Sequence, residues 1–466
     1  MRSAYAGAEI RDAEQTLLDR LPDGALMQRA AAGLSSVCAR LLGRVYGSGV
    51  LLLVGSGDNG GDALFAGARL AARGARVDAL LLADRAHEQG LDALRRAGGG
   101  VVQEATGEPD LVIDGILGLG GCGGLRDRAA TVVAHLPPGV PVVAVDVPSG
   151  VDASTGEVTG PAVRADVTVT FGALKPGLLV DPGAEHAGVV ELVDIGLDLP
   201  AAAVEVLQAQ DVARLLPRAD RESDKYRRGV VGVAAGSQEY TGAAVLCVGG
   251  AVRGGAGMVR YVGRDAPAAL VRARWPEVVV GPGRVQAWAV GSGGGGDAAA
   301  RLERAVADGV PVVVDADALV AVEGSRSSGT ALLLTPHAGE LARLVGADRE
   351  DVEARRLHHA LAAARKLGAV VLLKGSTTVV ARPDGRVRVN PTGTPALATA
   401  GSGDVLAGLC GALLAGGLDP FDAGSVAAWL HGLAGRLAAE GGAPVSASDV
   451  VDALPRAVSR VGRLIA

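Results

Sequence analysis

A glycine-rich turn followed by an aspartate opens a long apolar segment in the C-terminal half of the chain, within VNPTGTPALATAGSGDVLAGL. Consecutive backbone N–H groups in such a turn can stabilise negative charge on a phosphoryl group in transfer. Asp404 is then placed to accept the proton of a substrate hydroxyl. Asp404 could instead serve only as a favourable acid in the first turn of a helix. The segment indicates phosphoryl transfer, with that alternative left open.

A second signal for phosphate chemistry is Lys374, which ends the apolar run VVLLK. Lysine is scarce, since only Lys175, Lys225, Lys366 and Lys374 occur among the 45 basic residues. A compact ammonium can reach phosphate oxygens as a point charge where the larger guanidinium of arginine does not fit. An exposed lysine at a strand end is the alternative. We interpret Lys374 as a phosphate ligand and assign no role to the other three lysines.

The N-terminal half carries a strand, a glycine-rich turn and a helix in VLLLVGSGDNGGDALFAG. Backbone N–H groups at such a helix start suit a phosphate or another anion. Asn59, one of two asparagines in the chain, lies in this turn between Asp58 and Asp62. Because glycine is abundant, with 70 residues, the turn alone could be a tight connection. The rare asparagine favours a binding site.

Two further apolar runs end in acidic residues, at Asp114 in LVIDG and at Asp146 in VVAVDVPSG, where Ser149 follows. Ligands of open α/β sheets bind at the carboxyl ends of the strands, so these residues should converge with the turn around Asn59. Each aspartate could instead cap a helix or turn. The three strand ends together predict one polar crevice.

GSGDNGGDA, IDGILGLGGCGGLRD, VDVPSGVD and the preceding ALMQRAA resemble the NAD(P)H-hydrate epimerase family over about residues 1–205. The resemblance implies potassium ligands at Asn59, Asp114 and Ser149, with Asp146 as the acid–base group. Asp58 stands where that family usually has asparagine. The implied hydrate contacts are Asp58, Asn59, Gly60, Gly61, Asp62, Gly118, Leu119, Gly120, Gly121, Cys122, Gly123, Gly124 and Asp146.

GSQEYTGAA, GGAGMVR, DADAL, TPHAGE, LLKGSTT and NPTGTPALATAGSGD resemble the ADP-dependent NAD(P)H-hydrate dehydratase family over about 220–440. That family is a branch of the ribokinase-like fold, and the resemblance implies ADP and Mg²⁺ as cofactors. The family's usual GPGLG is GSGGG here. The implied hydrate contacts are Ala243, Gly293, His337 and Asp404, and the implied ADP contacts are Lys374, Gly375, Ser376, Thr377, Thr378 and Gly403.

Short apolar runs that alternate with amphipathic or alanine-rich stretches predict parallel sheets covered by helices. We expect an α/β protein of two domains: a Rossmann-like three-layer α/β sandwich over 1–205 and a ribokinase-like α/β domain over 206–466. The predicted strands are Val50–Val54, Val77–Leu82, Leu111–Ile113, Val142–Val145, Val167–Phe171, Val189–Val193, Val230–Ala235, Met258–Val262, Val278–Val280, Ala287–Val290, Val312–Val314, Ala331–Leu334, Val370–Leu373 and Thr377–Ala381.

Composition argues against several classes of partner. A formal net charge of −6 and an aromatic content of 2% argue against nucleic-acid binding. The longest uncharged stretch, 129–145, is interrupted by prolines, and the acidic N-terminus does not read as a signal peptide. Four scattered cysteines indicate neither a zinc site nor disulfides. We expect a cytoplasmic homo-oligomer that binds small molecules and neither nucleic acid nor a membrane.

The two resemblances together imply a bifunctional enzyme of nicotinamide nucleotide repair. The N-terminal domain would interconvert the R and S hydrates of NAD(P)H, and the C-terminal domain would dehydrate the S form at the expense of ADP. The alternative is a small-molecule kinase, for a vitamin or a sugar, fused to a noncatalytic nucleotide-sensing domain.

Overall fold

A computed structural model of the chain describes residues 1–104, 107–121, 123–218, 221–222, 224–325 and 329–464. The chain folds into two compact units. The N-terminal unit is Ser3–Ala203, and the C-terminal unit is Val204–Ala466 with Met1–Arg2. The functional limits 1–205 and 206–466 stay a prediction. A short strand, β1 (Arg2–Ala4), begins the chain.

The N-terminal unit is built on a seven-stranded sheet in which every neighbouring pair is parallel. Its order is β4-β3-β2-β5-β6-β7-β8. The strands are β2 (Gly49–Val54), β3 (Arg76–Leu81), β4 (Gly100–Val102), β5 (Leu111–Gly115), β6 (Val142–Val145), β7 (Val167–Phe171) and β8 (Val189–Val193). The helices are α1 (Gly7–Leu18), α2 (Ala25–Leu42), α3 (Asp58–Ala71), α4 (Glu88–Arg96), α5 (Asp127–Ala134) and α6 (Gly183–Ala187).

Helices cover both faces of this sheet, which makes the N-terminal unit a three-layer sandwich. Leu52 and Ile113 point into a core shared with α2, α3 and α4, whereas Leu53 and Val112 point into a core shared with α5. Successive residues of a strand face opposite sides, so strands buried on both sides read as continuous apolar runs. This is why the sequence predicted most of them; the short edge strand β4 was not predicted.

The C-terminal unit contains a second, mostly parallel sheet of order β9-β18-β17-β16-β15-β14-β13-β10-β11-β12. Antiparallel pairs occur where β17 meets β16 and β18. The strands are β9 (Val204–Val206), β10 (Val230–Ala234), β11 (Met258–Tyr261), β12 (Val279–Val280), β13 (Ala287–Val290), β14 (Val312–Val314), β15 (Leu332–Leu334), β16 (Val370–Leu373), β17 (Thr378–Ala381) and β18 (Val387–Asn390).

The helices of this unit pack against the sheet, and one of them carries the predicted glycine turn at its start. α15 (Ser402–Ala415) is almost wholly buried between α8 (Thr241–Arg253) and the central strands. The others are α7 (Ala209–Leu215), α8 (Thr241–Arg253), α9 (Asp265–Arg274), α10 (Ala298–Ala307), α11 (Val322–Ser325), α12 (Ala338–Val345), α13 (Arg349–Ala354), α14 (Arg356–Leu367), α16 (Pro420–Ala438) and α17 (Ala447–Gly462). The α/β class and the two-domain organisation predicted from the sequence are confirmed.

Candidate active sites

Close backbone approaches shape the glycine turn between β2 and α3. A Cβ atom on Gly55 would lie 1.8 Å from the carbonyl oxygen of Ile116, and one on Gly60 would lie 2.3 Å from that of Gly55. Only glycine fits at either position. The start of α3 can therefore approach the segment after β5, which brings Asp58 and Asn59 to this edge of the sheet.

Asn59, Asp114 and Ser149 meet around the segment that follows β5. The Ser149 hydroxyl donates to one carboxylate oxygen of Asp114 at 2.6 Å, and the Ser149 backbone N–H donates to the other at 2.8 Å. The same hydroxyl accepts the Leu117 N–H at 2.8 Å. The Asn59 amide donates to the carbonyl oxygens of Leu117, at 3.0 Å, and of Val145. The structure therefore brings the three predicted potassium ligands together.

The chemistry of this cluster fits a potassium ion. Asp114 is fully buried, and burial raises the pKa of its carboxyl to about 6, against the lowering effect of hydrogen bonds from Ser149 and Ile116. Within the described residues, no Lys or Arg contributes to that pKa shift. Carboxylate, hydroxyl and amide oxygens are the ligands that hard cations prefer. A bound K⁺ would compensate the buried negative charge.

Asp146 follows β6 with a left-handed backbone, φ 65°. One of its carboxylate oxygens accepts three hydrogen bonds: from the Thr170 hydroxyl at 3.1 Å, from the Phe171 N–H at 3.0 Å and from the Lys175 ammonium at 2.5 Å. Aspartate tolerates a positive φ better than most residues. The predicted acid–base residue is thus held at the carboxyl edge of the sheet by β7 and the segment after it.

Lys175, to which the sequence assigned no role, is the partner of Asp146. Its side chain is completely buried, and its ammonium also donates to the Thr170 hydroxyl at 2.9 Å and the Phe171 carbonyl at 3.0 Å. All three donors of the ammonium therefore have acceptors, which compensates for the removal of its charge from water. The scarcity of lysine in the chain was the available signal.

A cavity of about 930 Å³ opens beside this cluster within the N-terminal unit. Of the predicted hydrate contacts, Asp58 and Asp62 line it, and so does Phe171, whose N–H binds Asp146. The described residues of the loop 118–124 do not line this cavity; a Cβ on Gly118 would lie 2.4 Å from the amide oxygen of Asn59. Cys122 lies outside the described residues.

In the C-terminal unit, the turn before Asp404 lies against Lys374. Gly401 adopts a left-handed backbone, φ 88°, immediately before α15, and a Cβ on Gly403 would lie 3.3 Å from the Lys374 ammonium. Burial raises the pKa of Asp404 to about 7, with a further rise from Asp315 and an opposing effect from Lys374. A carboxyl that titrates near neutral pH suits a general base.

Asp315, at the end of β14, is a site residue that the sequence did not lead us to assign. It is buried and accepts hydrogen bonds from Lys374 at 2.9 Å, and from the hydroxyls of Ser292 and Thr335 at 2.8 Å each. Burial alone would lower the pKa of Lys374, but Asp315 and Glu340 raise it above its usual value. Lys374 therefore stays charged. The motif DADAL contained this residue without indicating its partner.

Two of the predicted hydrate contacts, Ala243 and Gly293, adjoin each other. Gly293 has φ 56°, and a Cβ there would lie 2.7 Å from the Cβ of Ala243, so a larger residue would clash. The assignment of Gly293 stays a prediction, but its close approach to the start of α8 explains why glycine is required.

His337 lies near Lys374, since their backbones form an isolated bridge. Its Nδ1 accepts the N–H groups of Gly339, at 3.0 Å, and Glu340, at 3.2 Å, and so caps α12. Burial lowers the pKa of the imidazole, and the positive charge of Lys374 lowers it further, against an opposing effect of Glu340. A neutral ring is consistent with this capping role, and its Nε2 lies 3.4 Å from a carboxylate oxygen of Glu340.

The predicted nucleotide segment 374–378 is the connection that follows β16, together with the first residue of β17. Arg356 donates to the carbonyl oxygens of Lys374, at 2.8 Å, and Thr377, at 3.1 Å. A Cβ on Gly375 would lie 2.1 Å from the guanidinium, so a larger residue there would displace Arg356 from these carbonyl oxygens. Arg356 fixes this loop, while Ser376 and Thr378 remain available as predicted contacts.

Larger clusters of His, Cys, Asp and Glu, and helices that could span a membrane, were both sought in the part of the chain that the structure describes. Across the described ranges, His, Cys, Asp and Glu side chains do not come together in groups of three or more that could hold a metal ion. None of the described helices combines the length and apolar character needed to cross a bilayer.

Known proteins are similar to the chain over both of its units. A protein-family model described as NAD(P)H-hydrate dehydratase matches residues 231–456, and a second family model, described as YjeF-related protein N-terminus, matches residues 23–177. The bifunctional NAD(P)H-hydrate repair enzyme of Mycobacterium leprae is 49% identical, over 98% of this chain and 100% of that protein. The chain belongs to this family of repair enzymes. The Mycobacterium tuberculosis H37Rv member is 50% identical over 90% of each chain.

Solved structures match the C-terminal part. The ADP/ATP-dependent NAD(P)H-hydrate dehydratase of Bacillus subtilis, co-crystallised with ATP and Mg²⁺, is 30% identical, with a TM-score of 0.51 over 56% of this chain and 100% of that one. A ribokinase-like superfamily protein of Enterococcus faecalis, 24% identical, has a TM-score of 0.51 over 57% of this chain and 99% of that one. The predicted ribokinase-like fold is confirmed.

We expect Lys175→Met to destabilise the N-terminal unit by ~3–5 kcal/mol, because it leaves Asp146 as a buried charge without its counterion. Urea denaturation, with amide hydrogen exchange of β6 and β7 as the local probe, measures the loss. Lys366→Met is the matched control: Lys366 forms an exposed ion pair with Glu323, worth less than ~1 kcal/mol. Equal effects of the two changes would show that the Lys175 pair does not hold the site.

Proposed function

We propose that this chain repairs hydrated NAD(P)H in two steps. The N-terminal unit interconverts the R and S hydrates, and the C-terminal unit converts the S hydrate to NAD(P)H with ADP as phosphoryl donor. One observation supports the proposal above all: each unit has its own cluster of candidate catalytic residues, around Asp146 in one and around Asp404 in the other. The relatives of the chain are bifunctional NAD(P)H-hydrate repair enzymes. An epimerase supplies the form that a stereospecific dehydratase consumes.

In the C-terminal unit, Asp404 removes the proton of the hydroxyl on carbon 6 of the hydrated nicotinamide ring. The oxygen then attacks the terminal phosphoryl group of ADP, and AMP leaves. The N–H groups at the start of α15 and the Lys374 ammonium stabilise the transferring group. Phosphate departs with the carbon–oxygen bonding electrons, and loss of a proton from carbon 5 restores the ring double bond. Water is thereby removed at the cost of one phosphoanhydride bond.

The nucleotide needs positive charge around its phosphates, and Lys374 supplies one such charge. Mg²⁺ would supply more, as a companion of the nucleotide. The carboxylates of Asp315 and Glu340 lie beside Lys374 and could orient hydrated Mg²⁺. The Bacillus subtilis relative was crystallised with ATP and Mg²⁺, which supports both cofactors.

In the N-terminal unit, we assign Asp146 to proton transfer at the hydroxyl of carbon 6. Its carboxylate stays close to the cavity through Phe171, and Lys175 fixes its orientation. Asn59, Asp114 and Ser149 would hold K⁺ beside the start of α3. The ion would supply positive charge at the edge where a phosphate-bearing substrate enters.

Purified protein supplied with ADP, Mg²⁺ and a mixture of R and S hydrates should restore the absorbance of reduced nicotinamide. Asp404→Asn should lower the dehydration rate ~10²–10⁴-fold, because it removes the general base. Asp404 must be deprotonated to act, and its pKa is about 7, so the wild-type rate should fall as the pH drops below 7. A stable phosphorylated product without recovered absorbance would instead identify the small-molecule kinase of the alternative hypothesis.

Asp146→Asn should separate the two activities. We expect the variant to consume the S hydrate at the wild-type rate and the R hydrate only as fast as it epimerises spontaneously, since the C-terminal constellation is unchanged. Time courses on each purified epimer measure both rates in one protein. Unimpaired use of the R hydrate by this variant would remove Asp146 from the epimerase mechanism.

Replacing K⁺ by N-methylglucamine should lower the melting temperature of the N-terminal unit and its epimerase rate. Saturation at 100 times the dissociation constant corresponds to ~2.7 kcal/mol of stabilisation. Asp114→Asn removes the charged ligand and should make both quantities insensitive to K⁺. A variant that responds to K⁺ as strongly as the wild type would place the ion elsewhere.

A further inference from the structure

The wall of the N-terminal cavity contains a carboxyl group that neither the sequence motifs nor the proposed mechanism uses. Glu14, on α1, lines the cavity together with Asp58 and Asp62 of α3. It is partly exposed, whereas Asp146 is only 4% exposed and has one oxygen occupied by three donors. Glu14 is therefore the more accessible of the two acids to a molecule in the cavity.

An unpartnered buried atom indicates that this acidic wall binds something. Asp62 is 6% exposed, and its Oδ1 is buried without a hydrogen-bond partner among the described residues. Buried polar atoms nearly always have a partner in the folded or the liganded state. Because Asp62 also lines the cavity, a ligand with a hydrogen-bond donor, such as the amide of a nicotinamide ring, would complete the site.

Glu14 carries a proton near neutral pH because of its surroundings. Burial raises the pKa of its carboxyl to about 7; the negative charges of Asp146 and Asp58 add to this, while Lys175 and Arg11 oppose it. Asp62 faces the same group. The other charged or titratable residues of the cavity wall are Asp23, His87, Glu88, Asp92 and Arg96.

We propose that Glu14, on the cavity wall, is a second catalytic acid–base group of the N-terminal site and works with Asp146, which is held behind that wall by the N–H of Phe171. The inference rests on the proposed epimerase function and adds separate roles for two acids: Glu14 donates a proton and Asp146 accepts one. Glu14 comes from α1 and Asp146 follows β6, so the two carboxyls are positioned independently, by different elements. Inversion at one carbon needs proton transfer on both faces of the ring.

The chemistry can be written with balanced atoms and charges. The Glu14 carboxylic acid gives its proton to the hydroxyl on carbon 6; the carbon–oxygen bond breaks, water leaves, and the lone pair of the ring nitrogen forms a carbon–nitrogen double bond. Water then adds to carbon 6 from the opposite face, the double-bond electrons return to nitrogen, and the Asp146 carboxylate accepts the released proton. Exchange with solvent returns the proton to Glu14.

The acidic wall has a function in this scheme. The intermediate carries a positive charge on the ring nitrogen and carbon 6, and the carboxylate of Asp58 on the cavity wall stabilises it. The same wall would disfavour an anionic intermediate, such as the one formed by removal of the hydroxyl proton. The charge of the cavity therefore agrees with loss and return of water rather than with removal of the hydroxyl proton.

Glu14→Gln keeps the shape of the side chain and removes the transferable proton, so we expect it to lower kcat/KM for R-to-S epimerisation ~10²–10³-fold. Wild-type epimerisation should fall as the pH rises above 7, where Glu14 loses its proton, and the variant should lose this inflection. Spontaneous epimerisation is subtracted at each pH. ADP-dependent dehydration of the purified S hydrate should be unchanged and serves as an internal control.

Asp12→Asn removes a negative charge from the exposed side of the same helix and is the matched control, with wild-type epimerisation expected. If Glu14→Gln lowers the melting temperature, Glu14→Asp distinguishes a catalytic from a structural role. Because aspartate retains a transferable proton, this variant should keep a measurable epimerisation rate and the pH inflection. Epimerisation by Glu14→Gln within threefold of the wild type, with the same pH profile, would overturn the inference. A wild-type protein without epimerase activity would instead refute the proposed function itself.

Discussion

In each unit an aspartate is buried at the carboxyl end of a parallel strand, with a lysine ammonium against it. Asp146 pairs with Lys175 in one unit, and Asp315 pairs with Lys374 in the other. Removing two charges from water costs several kcal/mol per ion, which their attraction repays only where further hydrogen bonds complete the geometry. Hydroxyl groups of nearby residues supply these bonds in both units. The turns, the cavity wall and the acid–base groups are arranged around these pairs.

Each pair also affects a second carboxyl group. Beyond the effect of burial, the charge of Asp146 raises the pKa of Glu14, and the charge of Asp315 raises that of Asp404; both values come to about 7. In each case the nearby lysine limits the rise. A carboxyl that would otherwise be ionised at neutral pH thus becomes able to exchange a proton. The two units reach this condition with unrelated sheets and different helices.

The sequence was sufficient for the strands that are buried on both sides. The predicted limits are confirmed for the strands Val142–Val145, Val167–Phe171 and Ala287–Val290. A short, continuous apolar run is typical of a strand that is buried on both faces. The cluster of Asn59, Asp114 and Ser149 was also predictable, since strand ends of a parallel sheet converge on one edge and the motifs resemble a known family.

Partners that depend on side-chain direction could not be predicted. Lys175 reaches Asp146 only because β7 lies beside β6 in the sheet, and no spacing in the sequence encodes that order. Glu14 belongs to a helix that precedes the first strand of its sheet by some thirty residues. Its place in the cavity follows from how α1 packs, and helical periodicity does not reveal this. A short edge strand such as Gly100–Val102 has only two apolar residues, which are too few to form a recognisable pattern.

The left-handed backbone at Asp146 has a consequence for how this site can change over time. A residue with φ 65° is tolerated chiefly as glycine, asparagine or aspartate, whereas β-branched side chains are strongly disfavoured. Glutamate would have to accept the same strain while moving its carboxyl away from Lys175. At this position aspartate therefore retains the ion pair, whereas asparagine or glycine would preserve the path of the chain without it. In a relative that has lost this activity, we expect asparagine at this position and a residue other than lysine at position 175. The two substitutions together would indicate the loss.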